Sequence, residues 1–144
     1  MANNMIPSLA FHHIALRVRD FDRELRFFTE GLGLKPYTSW GGEERKIMLL
    51  ELGDGGMLEL FSGGTEESEA NNRYIHFAFR VDDVEAAFAR AVKAGATVKS
   101  APAVHEIPSF PVKLTLQCAF VYTPGGAEVE FIRCLAAGKG EYHD

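Results

Sequence analysis

One short pattern is written twice in this chain. "FHHIALRV" at 11–18 and "YIHFAFRV" at 74–81 share His-x-Ala-x-Arg-Val, 63 residues apart, which sets His13 against His76 and Arg17 against Arg80. Self-similarity at a fixed period is the signature of a repeated supersecondary unit. Each copy also runs into the same kind of helix. After the first, Asp20 is placed to cap "FDRELRFFTEGLGL", with Asp22 and Glu24 suited to the positive helix end. Phe21, Leu25, Phe28 and Leu32 fall at helical spacing, and Gly31 or Gly33 stops the run. After the second, Asp82 and Asp83 precede "VEAAFARAVKAG", where Val84, Phe88, Ala91 and Val92 form the stripe and Gly95 ends it.

Three strand-like runs follow in each half. They are "KPYTSW", "RKIMLLEL" and "GMLELF" in the first, then "ATVKS", "VKLTLQCAFVYT" and "AEVEFIRC" in the second. The last two turn through Pro124-Gly125-Gly126. The reading is α+β: two tandem β-α-β-β-β modules in one domain spanning 1–144. Module one covers about 10–62 and module two about 73–134, joined by the polar linker "SGGTEESEANN". The tail "AAGKGEYHD" reads as loose.

Strand alternation sorts the side chains into faces. Ile14, Leu16 and Val18 share the helix face, which leaves His13, Ala15 and Arg17 opposite. In the second copy Phe77, Phe79 and Val81 face the helix, which leaves His76, Ala78 and Arg80 opposite. The last strand of each module adds Glu59 and Glu130 to that uncovered face. By the same alternation His12 points away from it. Two imidazoles and two carboxylates facing one concavity suit a divalent transition metal with positions left open. Ni, Co, Zn, Mn and Fe are all candidates on the residues alone.

At these residues the chain resembles the vicinal oxygen chelate superfamily, on "HHIALRVRD", "IHFAFRVDDVEAAF", "GMLELF" and "TPGGAEVEFI". That superfamily holds glyoxalase I, methylmalonyl-CoA epimerase, extradiol dioxygenases, fosfomycin-resistance enzymes and bleomycin-resistance proteins. The resemblance spans about Phe11 to Arg133. It implies a cupped mixed sheet with helices on its outer face, a metal in the cup, a small-molecule substrate and a homodimer.

The ligand set resembles that of bacterial-type glyoxalase I, His, Glu, His, Glu, carried onto His13, Glu59, His76 and Glu130. The epimerase has Gln where this chain has Glu59, dioxygenases and fosfomycin enzymes need only two His and one carboxylate, and bleomycin binders lack the set. Arg17 falls where glyoxalase I has an arginine that contacts glutathione. The implied activity is a lactoylglutathione-lyase type of lyase or isomerase, with Glu130 and Glu59 moving the proton. The alternatives are an acyl-CoA epimerase, an Fe(II) ring-cleaving dioxygenase and a non-catalytic drug- or metabolite-binding protein. Two stretches depart from glyoxalase I: "NNRYIHF" leading into the second histidine, and "VHEIPSFPVKLTL" at 104–116. Trp40, Phe110 and Tyr122 are candidate pocket walls.

Composition narrows the partners. The chain has 144 residues and a net charge of −5, with twenty acidic residues against fifteen basic ones. That balance argues against a nucleic-acid binder, which needs a basic face. No apolar run approaches the roughly 20 residues that span a bilayer, and "MANNMIPSLAF" has no signal-peptide character. A reducing, cytoplasmic setting is expected, with Cys118 and Cys134 as buried free thiols or, alternatively, a cross-strand pair.

Overall fold

A computed structural model describes residues 3–31, 33–71, 74–122 and 128–142. In the first half β1 (Ala10–Arg17) leads into α1 (Phe21–Arg26), which continues as one π-helical turn over Phe27–Gly31. The strands β2 (Lys35–Trp40), β3 (Ile47–Glu51) and β4 (Met57–Phe61) follow. A short helix, α2 (Glu66–Asn71), lies in the linker. The second half repeats the order with β5 (Tyr74–Arg80), α3 (Val84–Lys93), β6 (Thr97–Ile107), β7 (Val112–Tyr122) and β8 (Glu128–Lys139). The Pro124-Gly125-Gly126 turn and Leu32 lie outside the described residues.

The helices start where the sequence places their caps. The Asp20 carboxylate accepts from the Arg23 N–H at 3.1 Å, and that of Asp83 from Ala86 at 2.9 Å. Under α1, Phe21, Leu25 and Phe28 pack on Ile14, Leu16, Val18, Leu50 and Leu60. Under α3, Val84, Ala87, Phe88 and Ala91 pack on Val81, Ala119, Val121 and Phe131. Ala87 takes the place in the stripe expected of Val92, which is 40% exposed. Phe77, expected beneath a helix, is 44% exposed: it belongs to neither helix-covered core and stacks beside Tyr74.

One mixed sheet carries everything, in the order β2-β3-β4-β1-β5-β8-β7-β6. The first strand of each half pairs in parallel with the last, β1 with β4 and β5 with β8. The two first strands meet antiparallel at the centre and join the halves within one chain. The sheet curls until its ends touch. Ser39 and Phe110 exchange backbone hydrogen bonds at 3.0 and 2.9 Å, and the Thr38 hydroxyl donates to the Val112 carbonyl at 2.7 Å.

The tail is not loose up to residue 142. β8 extends through Lys139, paired with Val112, and the Gly140 N–H donates to the Pro111 carbonyl at 2.9 Å. A Cβ on Gly140 would stand 2.2 Å from the Ser109 carbonyl oxygen, so only glycine fits this approach. Tyr142 then meets Phe110 edge to face. Backbone pairing to a distant strand ordered this segment, and its small, polar composition carried no trace of that.

Candidate metal centre

The strand pairing brings the four expected ligands to the floor of the cup. His13 and His76 stand on the two central strands. The parallel register sets Glu59 beside Ala15 and Glu130 beside Ala78. Both alanines are completely buried, and their small side chains leave room for the longer ones around them. His13, Glu59, His76 and Glu130 are all buried too. All four belong to one chain.

The donor atoms converge on a common point. The two Nε2 atoms are 2.8 Å apart. Glu130 Oε1 is 3.2 Å from each of them, while Glu59 Oε1 is 3.2 Å from that of His13 and 3.4 Å from that of His76. Donors about 2.1 Å from a shared ion stand roughly 3.0–3.4 Å from one another. Glu59 Oε1 is buried and accepts no hydrogen bond despite these neighbours. A buried acceptor without a donor, beside two imidazole nitrogens and a second carboxylate, fits a bound cation. His13, Glu59 and His76 meet the spacing of a metal-binding group on their own.

Charge makes the same cluster pH-sensitive in the metal-free protein. Burial alone would lower the histidines, but contact with Glu130 and Glu59 outweighs it and pushes both up to about 9. Burial alone would raise the carboxylates, yet the imidazoliums hold Glu130 down to about 2 and lower Glu59 as well. The histidines therefore stabilise the fold fully below their ordinary 6.5, and that contribution is lost as pH rises through 9. The carboxylates contribute above their ordinary 4.5, and that is lost as pH falls through their depressed values. Chelator-treated protein is expected to melt at a lower temperature at pH 9 than at pH 6, followed by circular dichroism. Metal affinity should run the opposite way and rise over that range, because each bound ion must displace the imidazole protons.

His12 does not point away. The pairing of β1 with β5 shifts register between Phe11 and His13, and such an irregularity re-aims a side chain. His12 lines the same cavity, with its Nδ1 2.8 Å from Nδ1 of His13 and the rings edge to face. Burial, then the neighbouring His13, lowers its pKa to about 4, so it stays neutral. An ion held by His13 Nε2 would leave the ring proton on Nδ1, able to donate to His12.

The cavity above the floor is about 370 Å³ and largely apolar, with Trp40, Leu49, Phe61, Leu114 and Phe120 among its walls. Tyr37, His105 and Cys134 also line it, and the sequence reading named none of the first two. Cys118 and Cys134 are both free. Cys118 is buried as expected, and burial with the nearby Glu130 charge pushes its thiol up to about 12. Cys134 is exposed, not buried. The strands place Cys118 opposite Ile132 and Cys134 opposite Leu116, so the two thiols are offset by two residues.

Of the expected aromatic walls only Trp40 lines the cup. Phe110 faces an adjoining hollow of about 410 Å³, and Tyr122 lies by Lys99. Arg17 does not line the cup; its guanidinium lies over the Phe61 ring at 5.3 Å and donates to the Ser62 carbonyl at 3.0 Å. It shares a smaller hollow with Arg45 and Lys46.

A curled sheet of two joined β-α-β-β-β halves, with paired histidines and glutamates at its floor, defines an α+β fold of the vicinal oxygen chelate kind. The chain belongs to the Glyoxalase/Bleomycin resistance protein/Dioxygenase superfamily, whose family model matches residues 10–131. It is 33% identical over 135 residues to a probable lactoylglutathione lyase of Vibrio cholerae, covering 89% of this chain and 93% of that one. Against the lactoylglutathione lyase of Salmonella typhimurium the identity is 32%, with 89% and 95% covered. Solved structures share the fold. A methylmalonyl-CoA epimerase from Mycobacterium tuberculosis superposes with a TM-score of 0.65 at 16% identity, over 92% of this chain and 91% of that one. A mutant 4-hydroxymandelate synthase from Streptomyces coelicolor gives 0.71 at 21%, over 94% of this chain and 41% of its own. Among the described residues no helix is long and apolar enough to cross a membrane.

Proposed function

We propose that this protein is a metal-dependent lyase of the glyoxalase I type. One observation carries the reading: two imidazole nitrogens and two carboxylates converge at the floor of an apolar cup, in a chain about a third identical to lactoylglutathione lyases. His13, Glu59, His76 and Glu130 would hold a divalent ion such as Ni, Co or Zn. Bound there, the ion supplies Lewis acidity toward two neighbouring oxygens of a small substrate. Glu130 removes the proton from the carbon beside the carbonyl and returns it to the adjacent carbon. Glu59 holds its place in the ligand set and can share that proton. The apolar walls exclude water, which strengthens the charge interactions on which the proton transfer depends. Glu59, where epimerases of the superfamily carry Gln, favours the lyase over the epimerase.

Metal analysis of the purified protein, then assays with methylglyoxal–glutathione hemithioacetal, methylmalonyl-CoA and an oxygen electrode, test the reading. Metal with hemithioacetal turnover supports it. Turnover of the thioester alone, oxygen uptake, or no metal would each overturn it.

Arg17 belongs to the same proposal as a contact for an anionic part of the substrate. Arg17→Met is expected to raise KM more than it lowers kcat, the mark of lost uniform binding. An unchanged KM would leave Arg17 as the partner of Ser62 and Phe61 only. The homodimer is also proposed, on the resemblance, although the four ligands meet without a second chain. Light scattering at low micromolar concentration should show a species of twice 15.9 kDa. A stable, active species at the single-chain mass would exclude it.

A further inference from the structure

His76 presents its Nε2 to the cup floor, and its other ring nitrogen is the less explained one. Nδ1 is buried and makes no hydrogen bond. Glu128 Oε2 lies 3.4 Å from it. Glu128 is only 12% exposed, and its other oxygen is held by the Lys99 ammonium from β6. Lys99 in turn sits 5.5 Å from the centroid of Phe120, whose ring packs edge-on against His76. A chain of contacts thus runs from the β6 edge to the imidazole: Lys99, Glu128, His76.

An imidazole that binds a metal through Nε2 must carry its proton on Nδ1. A carboxylate accepting that proton fixes the tautomer and ring angle and raises the basicity of the donor nitrogen. We propose that Glu128 is the positioning residue for His76, and that Lys99 holds its carboxylate in place. The inference rests on the metal reading above. His13 has a different support, the neutral ring of His12. The two ligand histidines are therefore unequal: one is backed by a charge and the other by a dipole.

The test uses the full chain loaded with zinc, with affinity read by competition against a chelator on folded protein. Glu128→Ala should weaken zinc binding about 10–100-fold. Glu128→Gln keeps the volume and an acceptor oxygen and should weaken it less, and Lys99→Met should also lie between. By nitrogen-15 NMR, the His76 Nδ1 proton should be low-field and slow to exchange in the wild type, and lose both properties in Glu128→Ala. A residue that merely ties β8 to β6 would lower the melting temperature of metal-free protein and leave zinc affinity unchanged. That result overturns the proposal while leaving the metal site intact. Wild type that binds no zinc overturns the metal reading and this inference together. Should Glu128→Ala fail to fold, the Gln variant and the wild-type proton signal still decide, and a fast-exchanging wild-type proton counts against Glu128.

Discussion

Glu130→Gln is expected to keep most of its metal and to lose about 10²–10⁴-fold in turnover, the range that a positioned general base contributes. Glutamine retains an oxygen donor and nearly the same volume, so the packing around Ala78 and Cys118 is undisturbed. What disappears is basicity. In the metal-free protein contact with the two imidazoliums outweighs burial and holds this carboxyl down to about 2, which makes it a weak base there; a bound ion would displace the imidazole protons and remove that cause. Glu59→Gln should be milder. The direct readout is exchange in heavy water with a true substrate, in which wild type should place deuterium on the carbon next to the carbonyl. Glu130→Gln exchanging at the wild-type rate with its metal bound would move the base to Glu59 or to water.

The histidines should fail differently. His13→Ala and His76→Ala each remove a donor atom from a buried four-group cluster and leave two carboxylates facing each other with half their compensating charge. Metal affinity should fall by more than the roughly 10–100-fold that loss of a supporting group costs. Turnover should disappear with it. His12→Ala is expected to lie between these variants and wild type, because His12 supports His13 through Nδ1 and presents no donor to the floor. Metal content measured on folded, size-purified protein separates the three. Equal content in all of them would mean that the convergence of Nε2 atoms holds no ion.

Much of this architecture was legible because it is periodic. The repeated His-x-Ala-x-Arg-Val placed both central strands, and alternation then put His13, His76, Glu59 and Glu130 on one face, where the structure has them. The same rule could have found Glu128, which lies two residues before Glu130 and shares its face. It failed at His12, because a register shift breaks the alternation on which it depends. It failed again at the tail, where "AAGKGEYHD" has no apolar pattern and gains its order from strand pairing alone.

Sequence by itself determined the two modules, their caps and the identity of the four groups at the floor, because these follow from local spacing and side-chain chemistry. Tertiary structure alone decided that β1 and β5 pair within one chain, which makes the cluster complete without a partner. It alone decided that His12 turns inward, that Glu128 and Lys99 reach the back of His76, and that β2 meets the segment at Phe110 to close the cup. These depend on contacts between residues dozens of positions apart. Their cost is loop-closure entropy, which grows only slowly with separation, so local sequence carries almost no record of which distant strand will be met.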